Sequence, residues 1–122
     1  MIIRRAPKKE AFTSIDGCKI VEVIGLPTTN TREVSLAQAK IKGKTRTLRH
    51  YHTFTEIYMV VAGEGIMHID REAEKVKLGD NVLIPAKAHH FIENKSEQDL
   101  VIWCICTPAF TPDGTTLTEK SV

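Results

Sequence analysis

Two imidazoles and a carboxylate stand close together in His50-Tyr51-His52-Thr53-Phe54-Thr55-Glu56. On an extended chain, side chains two residues apart share a face, so His50 and His52 point the same way and Glu56 has matching parity. Neutral imidazole nitrogens and a carboxylate oxygen suit a divalent transition metal, and three such ligands leave positions for a fourth side chain and for water or substrate. The plain alternative is a polar patch on an exposed strand. A second segment, from Gly79 to Asn94, carries further histidine at His89 and His90. These two alternate faces on a strand, so only one of them can look into a shared cavity.

Spacing decides against the patch. His50, His52, Glu56 and Gly63, with Gly79, Pro85, His90 and Asn94, resemble the two motifs of the cupin superfamily. The opening glycine of the first motif is best matched by Gly43, one residue early, and Lys87 stands where the second motif has glycine. A non-glycine residue at positive φ in that turn would cost about 1 kcal/mol or more. The resemblance covers about residues 43–63 and 79–94 as motif, and the whole chain as fold. It implies an all-β chain, with residues 1–122 forming a single-domain double-stranded β-helix, or jelly-roll barrel. Inside it, His50, His52, Glu56 and His90 would hold one metal ion, while His89 and His68 would be rim or core residues. The family includes dioxygenases, sugar-phosphate isomerases, epimerases, lyases and non-catalytic binding domains, so the resemblance names no reaction. It also implies a homodimer.

The elements that must position these residues read as strands. Cys18 to Ile24 alternates apolar with polar or small residues and stops at Gly25-Leu26-Pro27. Glu33 to Ile41 could by itself be a short helix; the resemblance makes it a strand. Lys40, Lys42, Lys44 and Arg46 would form a basic stripe if the strand ran through Gly43, whereas a turn there leaves them solvated. Ile57 to Ala62 is apolar on both faces, as suits a closed barrel. Gly63-Glu64-Gly65 reads as a hairpin turn and Ile66 to Asp70 as the return strand. Val82 to Ile84 and the apolar run Leu100 to Cys106 complete the set, with turns at the spacing of a sandwich or barrel. Ala6 to Gly17 reads as a loop ending in the turn signal Asp16-Gly17, and the polar tail beyond Pro112-Asp113-Gly114 as an arm.

Composition bounds the rest. A chain of 122 residues with 42% hydrophobic content suits one domain. Seventeen basic against fifteen acidic residues give a net charge of +2, too balanced to suggest a nucleic-acid partner. No apolar run reaches the roughly 18 residues of a membrane helix. The beginning becomes charged too soon for a secretory signal, so the expected compartment is cytoplasmic. Cys18, Cys104 and Cys106 are too few for a disulfide framework and read as buried small hydrophobes, although Cys104 and Cys106 share a strand face.

Three imidazoles and one carboxylate leave two positions open on an octahedral ion, enough for two substrate oxygens, or one oxygen and dioxygen. Fe, Mn, Ni, Co and Zn all suit these ligands. Tyr58 has the parity of Glu56 and is a candidate acid or hydrogen-bond donor at the site. Gln38, Arg46, Phe54 and Trp103 are further candidates for the pocket, Arg46 through its phase with His50. The expected function is a metal-dependent enzyme, of isomerase, epimerase or dioxygenase type, acting on a sugar, sugar phosphate or keto acid. A non-catalytic binding or sensing module is the alternative.

Overall fold

A computed structural model describes residues 1–5 and 12–119. Part of the expected N-terminal loop, residues 6–11, and the end of the tail, residues 120–122, lie outside the described residues. Two antiparallel sheets face each other. The first runs in the order β1 (Phe12–Thr13), β2 (Lys19–Ile24), β3 (Ser35–Ile41), β11 (Leu100–Thr107), β6 (Thr55–Ala62) and β9 (Asn81–Ile84). The second runs β12 (Thr115–Leu117), β5 (His50–His52), β10 (His90–Asn94), β7 (Glu64–Ile69) and β8 (Glu72–Lys77), with the short β4 (Thr45–Arg46) also on β10. The two sheets together form a double-stranded β-helix. A four-residue helix, Leu26–Thr29, follows Gly25. Among the described residues no helix is long and apolar enough to cross a membrane.

Alternation sorts each strand into a core face and an outer face. Along β11, Leu100, Ile102, Cys104 and Cys106 are buried while their neighbours are half-buried. Leu100 and Ile102 pack with Ile41, Val60, Met67 and Ile92 in the apolar core, each such burial worth about 1.5–3 kcal/mol. Register carries this order across the sheet: Ile102 lies opposite Ala39, Cys104 opposite Tyr58, and Cys106 opposite Glu56. The barrel is therefore apolar at the Leu100 end of β11 and polar at its Cys106 end.

Three expectations need correction. Gly63-Glu64-Gly65 is not a hairpin, because β6 pairs with β11 and β9 while β7 pairs with β10 and β8; the chain changes sheets there. Gly63, at φ 82, allows this corner, since a Cβ at that position would lie 2.6 Å from the Asp99 carbonyl oxygen. The tail is not an arm over Thr115–Leu117, which pairs with β5. The ligand stretch is not one straight strand either: His50 and His52 belong to the second sheet and Glu56 to the first, with a bend at Thr53-Phe54. Gly43, as one of the two sequence readings had it, lies in a turn, and Lys40 and Lys42 are exposed.

Lys87 adopts φ 68, the left-handed conformation that the family's glycine would take. Its amide donates to the His52 carbonyl oxygen at 2.7 Å, and Ala88 N–H closes onto the Pro85 carbonyl at 3.1 Å. The turn thus forms despite the side chain, and ties the second histidine segment to the first. Lys87→Gly should remove the left-handed penalty but loosen the unfolded chain, for a net gain of up to about 1 kcal/mol. Lys87→Val should destabilise, because a β-branched side chain tolerates this region less well. Chemical denaturation of the three proteins checks the ranking.

Candidate metal centre

Strands β5 and β10 bring the imidazoles together. His50 and His90 are directly paired across the strands, with ring centroids 4.2 Å apart, and His52 lies 4.8 Å from His50 and 5.3 Å from His90. All three are almost fully buried. Each ring is oriented through Nδ1. His50 Nδ1–H donates to the Leu48 carbonyl at 2.8 Å, and His90 Nδ1–H to the Ala88 carbonyl at 2.9 Å. His52 Nδ1 meets Thr115 Oγ1 at 2.8 Å. Because the Thr115 hydroxyl donates to the Thr111 carbonyl at 3.3 Å, it accepts from His52. Phe54 stacks on the His52 ring at 4.5 Å.

These anchors settle the tautomers. A neutral ring whose Nδ1 carries the proton presents a bare lone pair at Nε2. Ring nitrogens of the three histidines lie within 4.8 Å of one another. Glu56 Oε1 stands 3.2 Å from His52 Nε2 and 3.4 Å from His90 Nε2. Glu56 Oε1 and His90 Nε2 are buried and have no hydrogen-bond partner among the described residues. Lone pairs and an anionic oxygen facing one another repel unless a cation lies between them, so the buried unpaired atoms fit a metal ion. The other carboxylate oxygen accepts from the Cys106 thiol at 3.4 Å.

The cavity beside these atoms, about 50 Å³, is walled by Ile20, Ala37, Ala39, Ile102, Cys104 and Phe110, with Tyr58 along one side. No lysine or arginine lines it among the described residues, whereas Asp16, Glu22 and Glu56 do. Tyr58 has the expected inward parity, and its ring lies 6.0 Å from that of His90. Burial, then the neighbouring charge of Glu56, raises its hydroxyl well above the ordinary tyrosine value, so it stays protonated as a donor. Burial likewise raises the three cysteine thiols, which suits inert wall residues.

Gln38 does not face the cavity: Ser35, Ala37, Ala39 and Ile41 form the inward set of β3, and Gln38 pairs with Trp103 on the outer face. Trp103 is excluded for the same reason. Arg46 does not reach the cavity either. Its guanidinium lies outside the barrel, bonded to Glu119 at 2.8 and 3.0 Å and placed over the Phe91 ring. His89 stacks on Tyr51, and His68 pairs with Glu93 at 2.6 Å, both away from the centre. Two residues at the site were missed. Thr115 sits on a strand of three residues, too short for a periodic signal, and Asp16 was read only as part of a turn.

Comparison with known proteins agrees with this architecture. A family model described as Cupin domain matches residues 38–106. An uncharacterized protein of Methanocaldococcus jannaschii is 34% identical over 113 residues, covering 92% of this chain and 90% of its own. Among solved structures, a polyketide cyclase of Streptomyces resistomycificus superimposes with a TM-score of 0.80 at 16% identity, over 98% of this chain and 88% of its own. A predicted oxalate decarboxylase of Thermotoga maritima superimposes with a TM-score of 0.75 at 20% identity, over 88% of this chain and 99% of its own. At these identities the structural likenesses show the fold alone. Three buried histidines converging in such a barrel suggest a metal ion.

Thr115→Val should weaken metal affinity by about 10- to 100-fold through loss of the His52 anchor, read by chelator competition. Burial first, and then His90, hold His50 below the usual imidazole value. The stability this ring contributes to the metal-free protein is therefore full above about pH 6.5 and lost as pH falls through the depressed value. Denaturation midpoints of chelator-treated protein should decrease on acidification below about pH 6.5.

Proposed function

The chain belongs to the cupin family, and from that premise we propose that it is a metal-dependent enzyme acting on a small, neutral, oxygen-bearing metabolite. The carrying observation is the buried convergence of three imidazoles, two of which face the Glu56 oxygen through Nε2. His50, His52, His90 and Glu56 would hold the ion. A bound divalent ion supplies Lewis acidity toward a coordinated oxygen and lowers the pKa of a coordinated water. With no lysine or arginine on its wall among the described residues, the cavity offers a phosphate or carboxylate no side-chain counter-charge there. That disfavours sugar phosphates and keto acids among the substrates expected from sequence. The apolar wall favours a compact ligand with one polar, metal-facing end.

Tyr58, kept protonated, would donate a hydrogen bond to a ligand oxygen in the cavity, and its raised pKa suits it to that role better than to proton transfer. Cys106 holds the Glu56 carboxylate by its second oxygen, and the surrounding thiols and methyl groups exclude bulk water. Neutral-substrate isomerisation and dioxygen chemistry use this same arrangement, and the metal decides between them. The expected homodimer draws support from Met59, Val61 and Leu83, which are exposed on β6 and β9.

His52→Ala should abolish most metal occupancy in protein purified without added metal, while His68→Ala should retain it; elemental analysis showing equal occupancy in both overturns the ligand assignment. Oxygen uptake by the metal-loaded wild type with pooled neutral metabolites then distinguishes dioxygenase from isomerase chemistry. Binding without turnover of any pool member would favour the sensing alternative.

A further inference from the structure

The hairpin between β1 and β2 brings a second carboxylate beside His50, one of the three imidazoles of that centre. Ser14 N–H donates to the Cys18 carbonyl and Gly17 N–H to that of Ser14, both at 2.9 Å, which closes the turn. The Asp16 carbonyl accepts from Leu48 N–H at 2.8 Å, fastening the turn to the segment that leads into His50. Asp16 is buried at 7% exposure and lines the cavity, although the adjoining Ile15 is exposed. Its two oxygens have different surroundings. Oδ1 accepts from the Ser14 hydroxyl, from the Cys18 thiol at 3.2 Å and from Cys18 N–H at 3.4 Å. Oδ2 stands 3.5 Å from His50 Nε2.

His50 donates from Nδ1 to Leu48, so the nitrogen facing Asp16 is the one with a lone pair. This is the same unfavourable facing that Glu56 makes with His52 and His90, and a cation beside His50 would relieve it in the same way. Two donors about 2.0–2.2 Å from one ion lie roughly 3–3.5 Å from each other, which matches all three nitrogen-to-oxygen separations. Resting on the metal-centre reading above, we propose that Asp16 is a further ligand of the metal ion, giving a centre of three imidazoles and two carboxylates. Two carboxylates neutralise a divalent charge. Five donors leave one position on a six-coordinate ion, so a ligand enters through a single oxygen rather than as a chelate. A neutral oxygen donor meets less opposition there than an anion.

Titration of the metal-free chain with Co(II) tests this, using chelator competition for affinity and visible absorption for coordination number. Asp16→Asn keeps an oxygen for the Ser14 and Cys18 donors but loses the charge, and Asp16→Ala removes the donor altogether. Both should bind Co(II) about 10-fold or more weakly, and Asp16→Ala should absorb more intensely than wild type because fewer donors surround the ion. Thr13→Ala, which trims an exposed side chain of the same hairpin and leaves Asp16 and its donors in place, should match wild type in affinity and spectrum. Wild-type affinity and spectrum in both Asp16 variants, with circular dichroism showing an intact fold, would overturn the assignment. So would an equal loss in Thr13→Ala, which would place the effect in the hairpin. Failure of the wild type to bind Co(II) would instead remove the metal centre on which the inference rests.

Discussion

Everything at this site depends on where three protons are. Main-chain carbonyls of Leu48 and Ala88 and the hydroxyl of Thr115 each accept a hydrogen bond from the Nδ1–H of one imidazole. The opposite nitrogens are thereby committed to face the interior as acceptors. Carboxylate oxygens come at them from the other sheet, and no donor intervenes among the described residues. Such a cluster is costly in a low-dielectric interior unless a positive charge occupies it. The polypeptide has thus arranged its own donors to create an electrostatic deficit at one place, and the apolar wall around it prevents water from relieving that deficit cheaply.

The two sheets share the work of building this deficit. The second sheet supplies the imidazoles, whose cross-strand pairing sets their separation. The first supplies Glu56, with Cys106 directly opposite it and bonded to its outer oxygen. The crossing at Thr53-Phe54 lets residues four apart in sequence approach the same point from facing layers. Lys87, bonded through its amide to the His52 carbonyl, couples the two histidine segments at the mouth of the barrel. Asn94 does comparable work at the far end, where its amide donates to the Ile41 and Gln98 carbonyls.

Much of this was legible in the sequence, and the misses have physical reasons. Parity placed His50, His52, Glu56 and Tyr58 on one side, and it survived the change of sheet because the bend preserves which way the side chains point. Family spacing separated His90 from His89. Parity failed for Arg46, since β4 is only two residues long and its outward guanidinium is captured by Glu119, far along the chain. Gln38 failed because the inward face of β3 follows the small residues Ala37 and Ala39 that the narrow barrel needs. Thr115 and Asp16 act through tertiary placement at a strand of three residues and a hairpin tip. Neither leaves a periodic trace, and a polar residue beside glycine is ordinary turn chemistry.

The contributing side chains come from both ends of the polypeptide, from Asp16 near its beginning to Thr115 near its end. Assembly of the pocket therefore waits on nearly all of the long-range strand pairing, which is slow in all-β topologies. An ion seated there would act as a rivet through both layers, and its binding free energy would be felt as cooperative resistance to unfolding of the entire barrel. Loss of the ion would then loosen distant strand edges as well as silence the pocket.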